Sequence, residues 1–411
     1  MAAGAHSASA DPLKPATTAL GWDVNLDALL QVDAVPYAQG SVDDLNPGNG
    51  EPLNEETILV RRALLRAQAH RDKAFASIEL ESNDLNGPVT RLLGAYVGWS
   101  EPATHAGAPP IVTVVGGLFL IPFGAEVPTN LRDKPFLEVP TWANALFPGN
   151  YDGGVMARGA YGVARWTVAV TDGAPSGDLQ WKGRDPQSSY DLIARLGGVI
   201  DARETAGRPR VDFGISVLTG KGFHPGIQPT KDSIVWVDAN GNGMVDPTEI
   251  IDVPGSPGEP SVSFSHDAIG GDASVRWCLQ GAGGGWAFAE GVIAKNLDRG
   301  LVYADPIAGG RDVRELGYSA GVVQDATEWG QFGARYDRYD ADRDAATQGG
   351  LMFVQTKQIF STLSVYGALR WTTTRLQLQY DHNRNPFGLA DNGLPTTRGD
   401  DRLTIRAQVK W

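Results

Sequence analysis

The chain has 411 residues, including 51 Gly and 11 Trp, with a hydrophobic fraction of 42% and a formal net charge of −13. That charge argues against nucleic acid as a partner, and the single cysteine, Cys278, excludes an intramolecular disulfide framework or a Cys-rich metal site. The longest apolar run, Ile111 to Gly124, is interrupted by Gly116, Gly117 and Pro122 and is too short for a membrane-spanning helix, so a membrane location would require strands.

Residues 1–20 are rich in Ala and Ser and lack the charged and apolar regions of a complete export signal. The Ala8-Ser9-Ala10 step resembles the end of a cleavage site, and a flexible tail is the alternative. From Gly21 onward, short alternating segments are separated by Gly, Pro, Asp and Asn clusters, with no long helical period. Leu59, Ala63, Leu65 and Ala67 oppose Arg62, Arg66, Gln68 and His70. Ala164, Trp166, Val168 and Val170 alternate with Arg165, Thr167, Ala169 and Thr171. Leu192, Ala194 and Leu196 face away from Asp191 and Arg195, and Val211, Phe213, Ile215 and Val217 face away from Asp212, Gly214 and Ser216.

Next comes a different motif, running from Asp238 to Glu249. Side-chain oxygens at Asp238, Asn240 and Asn242, a Gly at 243, the Met244 carbonyl, Asp246 and Glu249 occupy the positions of a Ca²⁺-binding loop of EF-hand type. The strand-like Ile234 to Val237 before it and Pro247 after it predict a hairpin or outer loop rather than a helical pair. A structural Ca²⁺ is the expected ligand, of the modest affinity that an extracellular supply can saturate; a bare Asn/Gly turn is the alternative.

Downstream, Ala273, Val275, Trp277 and Leu279 alternate with Ser274, Arg276, Cys278 and Gln280. Leu363, Val365, Leu369 and Trp371, then Leu376, Leu378 and Tyr380, predict a hairpin turning near Trp371 to Thr374. Asp381 to Asp401 has the composition of a long outer loop. The chain closes on Leu403, Ile405, Ala407, Val409 and Trp411 opposite Arg402, Thr404, Arg406, Gln408 and Lys410, which resembles the C-terminal assembly signal of outer-membrane proteins. Trp22, Trp99, Trp166, Trp277, Trp286, Trp371 and Trp411 stand at segment ends or on apolar faces, as residues of an interfacial girdle would.

These segments predict an all-β fold: one transmembrane antiparallel barrel over residues 21–411, of about 16 strands, with long extracellular loops and short periplasmic turns in a bacterial outer membrane. A barrel of that size encloses water. Five stretches also resemble the phosphate-selective porin family: Arg61 to Gln68, Ala95 to Trp99, Gly117 to Glu138, Ala145 to Gly159 and Trp166 to Pro175. That resemblance implies a homotrimeric pore for small hydrophilic solutes or anions, a lumen lined by basic residues, and an infolded loop over Pro122 to Pro148 that carries Arg132, Asp133 and Lys134. The chain departs from the family pattern at Leu120, where a basic residue is common, and in lacking a dense Lys cluster.

Of the 35 basic residues 26 are Arg, a group that is always charged and binds anions through a planar fork. The expected pore-lining set is Arg62, Arg66, Arg132, Lys134, Arg165, Arg195, Arg276, Arg335, Arg375 and Arg406. Arranged along one wall, these would pass an anion from cation to cation. Paired instead with Asp191, Asp212, Glu79, Glu81, Glu315 or Asp337, they would brace the wall and leave a general or weakly cation-selective pore. No catalytic constellation emerges, and the six His residues lie in unrelated segments without metal spacing. A secreted, calcium-stabilised β-rich binding module is the alternative from another class.

Overall fold

The computed structural model describes residues 18–19, 21–38, 56–85, 87–102, 109–181, 185–201, 209–279, 283–349, 352–355, 358–389 and 395–411. Most of the expected N-terminal tail therefore lies outside the described residues. Sixteen long strands form the wall. They are β1 (Trp22–Ala38), β2 (Thr57–Arg71), β3 (Ala74–Asn83), β4 (Val89–Glu101), β5 (Val112–Leu120), β6 (Tyr151–Tyr161), β7 (Ala164–Thr171) and β8 (Asp191–Asp201). After these come β9 (Arg210–His224), β10 (Val262–Leu279), β11 (Gly283–Lys295), β12 (Arg314–Asp325), β13 (Gly330–Asp340), β14 (Ile359–Arg370), β15 (Thr374–Leu389) and β16 (Arg402–Lys410). Each pairs antiparallel with its predecessor, and β16 returns to β1 with Leu29 opposite Lys410, so the long strands close on themselves and leave no edge.

The two-residue period selects the faces. On β7, Val168 and Val170 point outward and are exposed, while Ala169 and Thr171 point inward and are buried. Leu196, Ile215, Ile269, Ile293, Phe332 and Leu378 continue the exposed apolar belt around the outside. Such a belt is stable only against hydrocarbon, which places the barrel in a bacterial outer membrane.

Tight turns at Asp72–Lys73, Gly162–Val163 and Trp371–Thr373 alternate with long excursions, the largest over residues 121–150 and 225–261. All seven expected girdle tryptophans lie toward the short-turn rim, but Trp286 faces the lumen instead of lipid and packs against the cluster of Phe136, Val323 and Tyr366. The polar composition of Asp381 to Asp401 also misled, because β15 extends to Leu389 and residues Pro395–Gly399 pair with its end. Those polar side chains are compatible with a strand that continues beyond the lipid.

Two excursions turn back into the barrel. Residues 121–150, which span the expected Pro122 to Pro148 segment, carry the short helix α1 (Thr141–Leu146). Phe123, Trp142, Leu146 and Phe147 of this loop form a core with inward-facing Ala169, Ile193, Leu218, Ala268 and Val292. Full burial of Trp142 alone contributes about 4–6 kcal/mol before entropic costs. Gly317 makes room for it, since a Cβ there would lie 2.3 Å from that of Trp142. The second inserted loop, residues 296–313, joins the first through main-chain bonds from Arg299 and Gly300 to the Ala145 carbonyl, each 2.9 Å.

Wall carboxylates anchor the loop backbones. Glu290 accepts from the amides of Ala125 and Glu126 (3.1 and 2.9 Å), Asp337 from Thr141 at the start of α1 (3.1 Å), and Glu315 from Leu297 and Asp298 (2.9 and 3.2 Å). Each bond satisfies a loop donor that would otherwise be buried without water.

Candidate permeation site

The first inserted loop narrows the lumen where Glu138 meets the wall. Arg61 grips this carboxylate with both arms of its fork, Nε to Oε1 at 2.8 Å and Nη2 to Oε2 at 2.7 Å. Arg62 reaches Oε2 at 3.3 Å and Arg406 reaches Oε1 at 3.2 Å. Glu138 nevertheless remains 46% exposed and therefore faces the aqueous lumen. The crowded protein around it opposes its charge by desolvation, but the guanidiniums of Arg62, Arg61 and Arg406 outweigh that and hold its carboxyl well below the usual carboxylate range.

Behind this contact the arginines are tied to buried acids. Arg406 makes a bidentate pair with Asp33 (2.6 and 2.7 Å) and donates to the Leu137 carbonyl, whereas Arg62 lies 3.5 Å from Glu81. Arg61 was not among the expected lumen residues, because strict alternation turns it toward lipid. A register shift between Gln31 and Val32 makes the difference: Gln31 pairs with Arg62 and Val32 with Val60, leaving Arg61 as the extra residue of a bulge. Two consecutive side chains thereby reach the same carboxylate.

The other expected lumen residues fall into two groups. Arg66 pairs with Asp27 (2.9 Å), Arg132 with Asp27 and Glu79, Lys134 with Glu126 (2.6 Å), Arg195 with Asp272, and Arg335 with Asp337 (3.8 Å). Together with Arg62 and Arg406 these brace the wall and the loop, much as the pairing alternative anticipates. Arg165, Arg276 and Arg375 have no carboxylate within 4.0 Å among the described residues. Arg375 is spent on the loop, donating to the Pro135 carbonyl at 2.8 Å, and Arg165 donates to the carbonyls of Gly162 and Ala164 in its turn (2.7 and 2.8 Å).

Arg158, absent from the expected set, points into the lumen on β6 opposite Thr113 and Thr167 and is exposed. Met156 on its own face is as apolar as Val155 on the opposite one, so no clean polar/apolar alternation marked it in the sequence. Of the acids proposed as partners, Glu79, Glu81, Asp212 and Asp337 do pair with arginine. Asp191 instead meets His266 at 2.7 Å, and Glu315 serves loop amides.

The Asp238 to Glu249 loop sits at the tip of a hairpin whose strands are Ser233–Trp236 and Ile250–Val253. Gly241 and Gly243 take positive φ (69° and 71°), a conformation glycine adopts without strain. Asp238 accepts from the amides of Asn242 and Gly243 (3.1 and 2.8 Å), Asn240 from Asn242 (2.9 Å), and Asn242 from Met244 (2.7 Å). Buried Glu249 accepts from the amides of Ala239 and Asn240 and from the Trp236 indole (3.1, 3.1 and 3.3 Å). Among the described residues no three His, Cys, Asp or Glu side chains gather at metal-holding distance. An ion here would therefore depend on Asn240, Asn242 and a main-chain oxygen beside Asp238, with Asp246 and Glu249 drawn in.

No protein-family model and no curated protein sequence matches the chain. Among solved structures, it is similar to the outer-membrane channel DcaP of Acinetobacter baumannii, with a TM-score of 0.58 and 11% identity over 95% of this chain and 98% of that one. It is similar to OprB of Pseudomonas putida in its high-pH structure, at 0.57 and 11% over 95% and 94%. The anion-selective porin from Comamonas acidovorans follows at 0.53 and 10%, over 95% and 100%. At these identities the likeness is one of fold: this chain has the barrel architecture of outer-membrane porins.

Proposed function

We propose that the chain is a passive diffusion pore for small hydrophilic solutes, with a modest preference for anions. The observation that carries the pore is the water-facing cluster of Glu138 with Arg61, Arg62 and Arg406, inside a barrel whose inner face is polar. Glu138, Asp33 and Glu81 set three carboxylates against these three guanidiniums, so the cluster itself is balanced. The positive excess is that of Arg158, Arg165 and Arg276 toward the short-turn end, which have no carboxylate within 4.0 Å among the described residues. Among the described residues the lumen lysines, Lys134 and Lys410, face Glu126 and Asp133, so the reading does not extend to phosphate specificity. Reversal potential across a planar bilayer under a KCl gradient tests it: an anion-side potential that weakens in Arg158→Ala supports the preference. A cation-side potential insensitive to that change refutes it and leaves a general pore.

Two further elements belong to this reading. The homotrimer follows from the sequence resemblance and is tested by cross-linking in native outer membranes. Ca²⁺ at Asp238, Asn240, Asn242, Met244, Asp246 and Glu249 would stiffen the hairpin outside the barrel; the two positive-φ glycines and the turn bonds described above favour it.

A further inference from the structure

Between the constriction and the short-turn rim, the lumen wall carries an aromatic shelf. Trp286 and Phe288 on β11 point inward, partly exposed, and pack against Phe136, Val323 and Tyr366. Phe288 meets Phe136 edge-on, with ring centroids 6.3 Å apart, and Phe136 meets Tyr366 the same way at 5.1 Å. Gly321 keeps Phe288 flat against the wall, since a Cβ there would lie 2.6 Å from the ring.

Three arginines lie over these rings, and they differ in what they have left to offer. Arg335 over Phe136 (4.7 Å) donates to the Glu138 carbonyl, and Arg375 over Tyr366 (5.4 Å) donates to the Pro135 carbonyl; both hold the loop. Arg276 stands directly across from Trp286 in the β10–β11 ladder, with its guanidinium 5.8 Å from the ring centroid. It is exposed to the lumen and has no carboxylate within 4.0 Å among the described residues. Its neighbour Arg210 is already engaged by Asp212 through both arms (2.8 and 2.7 Å).

We propose that Arg276, Trp286 and Phe288 form a binding station for aromatic carboxylates, the solutes that pair a flat ring with a single anionic group. The ring lies along Trp286 and Phe288, and the carboxylate accepts from the Arg276 guanidinium. One unpaired cation beside two partly exposed rings gives weak, reversible binding, which is what a transport path requires. This inference rests on the pore reading above.

The test uses the full chain in planar bilayers, with benzoate, cyclohexanecarboxylate and acetate as probes. All three carry one carboxylate, and benzoate alone adds a π face. The expected result is benzoate interruptions of the KCl current lasting about threefold to tenfold longer than those of cyclohexanecarboxylate, the range one aromatic contact supplies. Arg276→Gln and Trp286→Leu should each abolish that difference while KCl conductance persists, and Trp286→Phe should retain part of it. Equal residence of benzoate and cyclohexanecarboxylate, or a preference that survives both variants, in a channel that still conducts KCl, overturns the station and spares the pore. Absence of KCl conductance in the wild-type protein overturns both.

Discussion

Arg61 and Glu138 meet through a fork of two hydrogen bonds, 2.8 and 2.7 Å, although Arg61 occupies a position that a regular strand would turn outward to lipid. The bulge that redirects it places two adjacent arginines on one side of the carboxylate, with Arg406 completing the grip. The inserted loop is thus fastened at its water-facing tip as well as along its buried stem.

Glu138→Gln removes the one carboxylate that faces water among these guanidiniums. A unit charge about 5 Å from a passing ion in water is worth ~0.8 kcal/mol, repelling Cl⁻ and attracting K⁺ alike, so the Cl⁻/K⁺ permeability ratio should rise up to about 16-fold at low salt and less at high salt. The reversal potential in matched KCl gradients measures this, and an unchanged or falling ratio would contradict the assignment.

Arg406 and Asp33 are each only 5% exposed. Arg406→Met should destabilise the barrel by about 3–5 kcal/mol, because it leaves Asp33 buried without its counter-charge. Pairing it with Asp33→Leu should recover most of that loss. Heat-modifiable gel migration across a temperature series separates the two; equal loss in single and double variants would sink the idea.

Acid should not loosen the loop tip at the pH where ordinary glutamates titrate. Glu138 in the folded protein lies below its unfolded value of about 4.3, so its contribution is fully present above that value and is lost only as pH falls through the lower, folded one. Conductance traced from pH 7 to ~4 should show no transition assignable to Glu138. A midpoint between about pH 4 and 5 that vanishes in Glu138→Gln would refute the grip.

Trp236 donates to Glu249 at 3.3 Å, close enough for its indole to sensitise a lanthanide in the calcium-type loop. Tb³⁺ luminescence excited through tryptophan should appear on titration, be displaced by Ca²⁺ but not by equal Mg²⁺, and be lost in Asp238→Ala. No sensitised emission, or emission unaffected by that substitution, removes the site.

The barrel was legible because period-two alternation follows directly from having lipid on one side of each strand and water on the other; the segments around Val168, Leu376 and Ile405 show it without ambiguity. The infolded loop was legible only through resemblance, since its apolar Phe123, Trp142 and Phe147 look like any buried cluster in one dimension. Three details escaped for physical reasons. A bulge shifts parity at Arg61, an aromatic inside the lumen has the composition of a girdle residue at Trp286, and a strand projecting beyond lipid loses its apolar face after Asp381. Nor could spacing show which arginines were already spent: Arg195 crosses over Gly214 to Asp272 on the strand beyond, a contact set by the absence of a side chain between them.

The most direct test of the account is cysteine accessibility at the constriction. In a Cys278→Ser background, Glu138→Cys should react with a charged, membrane-impermeant methanethiosulfonate during single-channel recording, and each modification should lower the current in a discrete step. A channel that conducts but whose current is indifferent to modification at 138 would place the permeation path somewhere other than beside this loop.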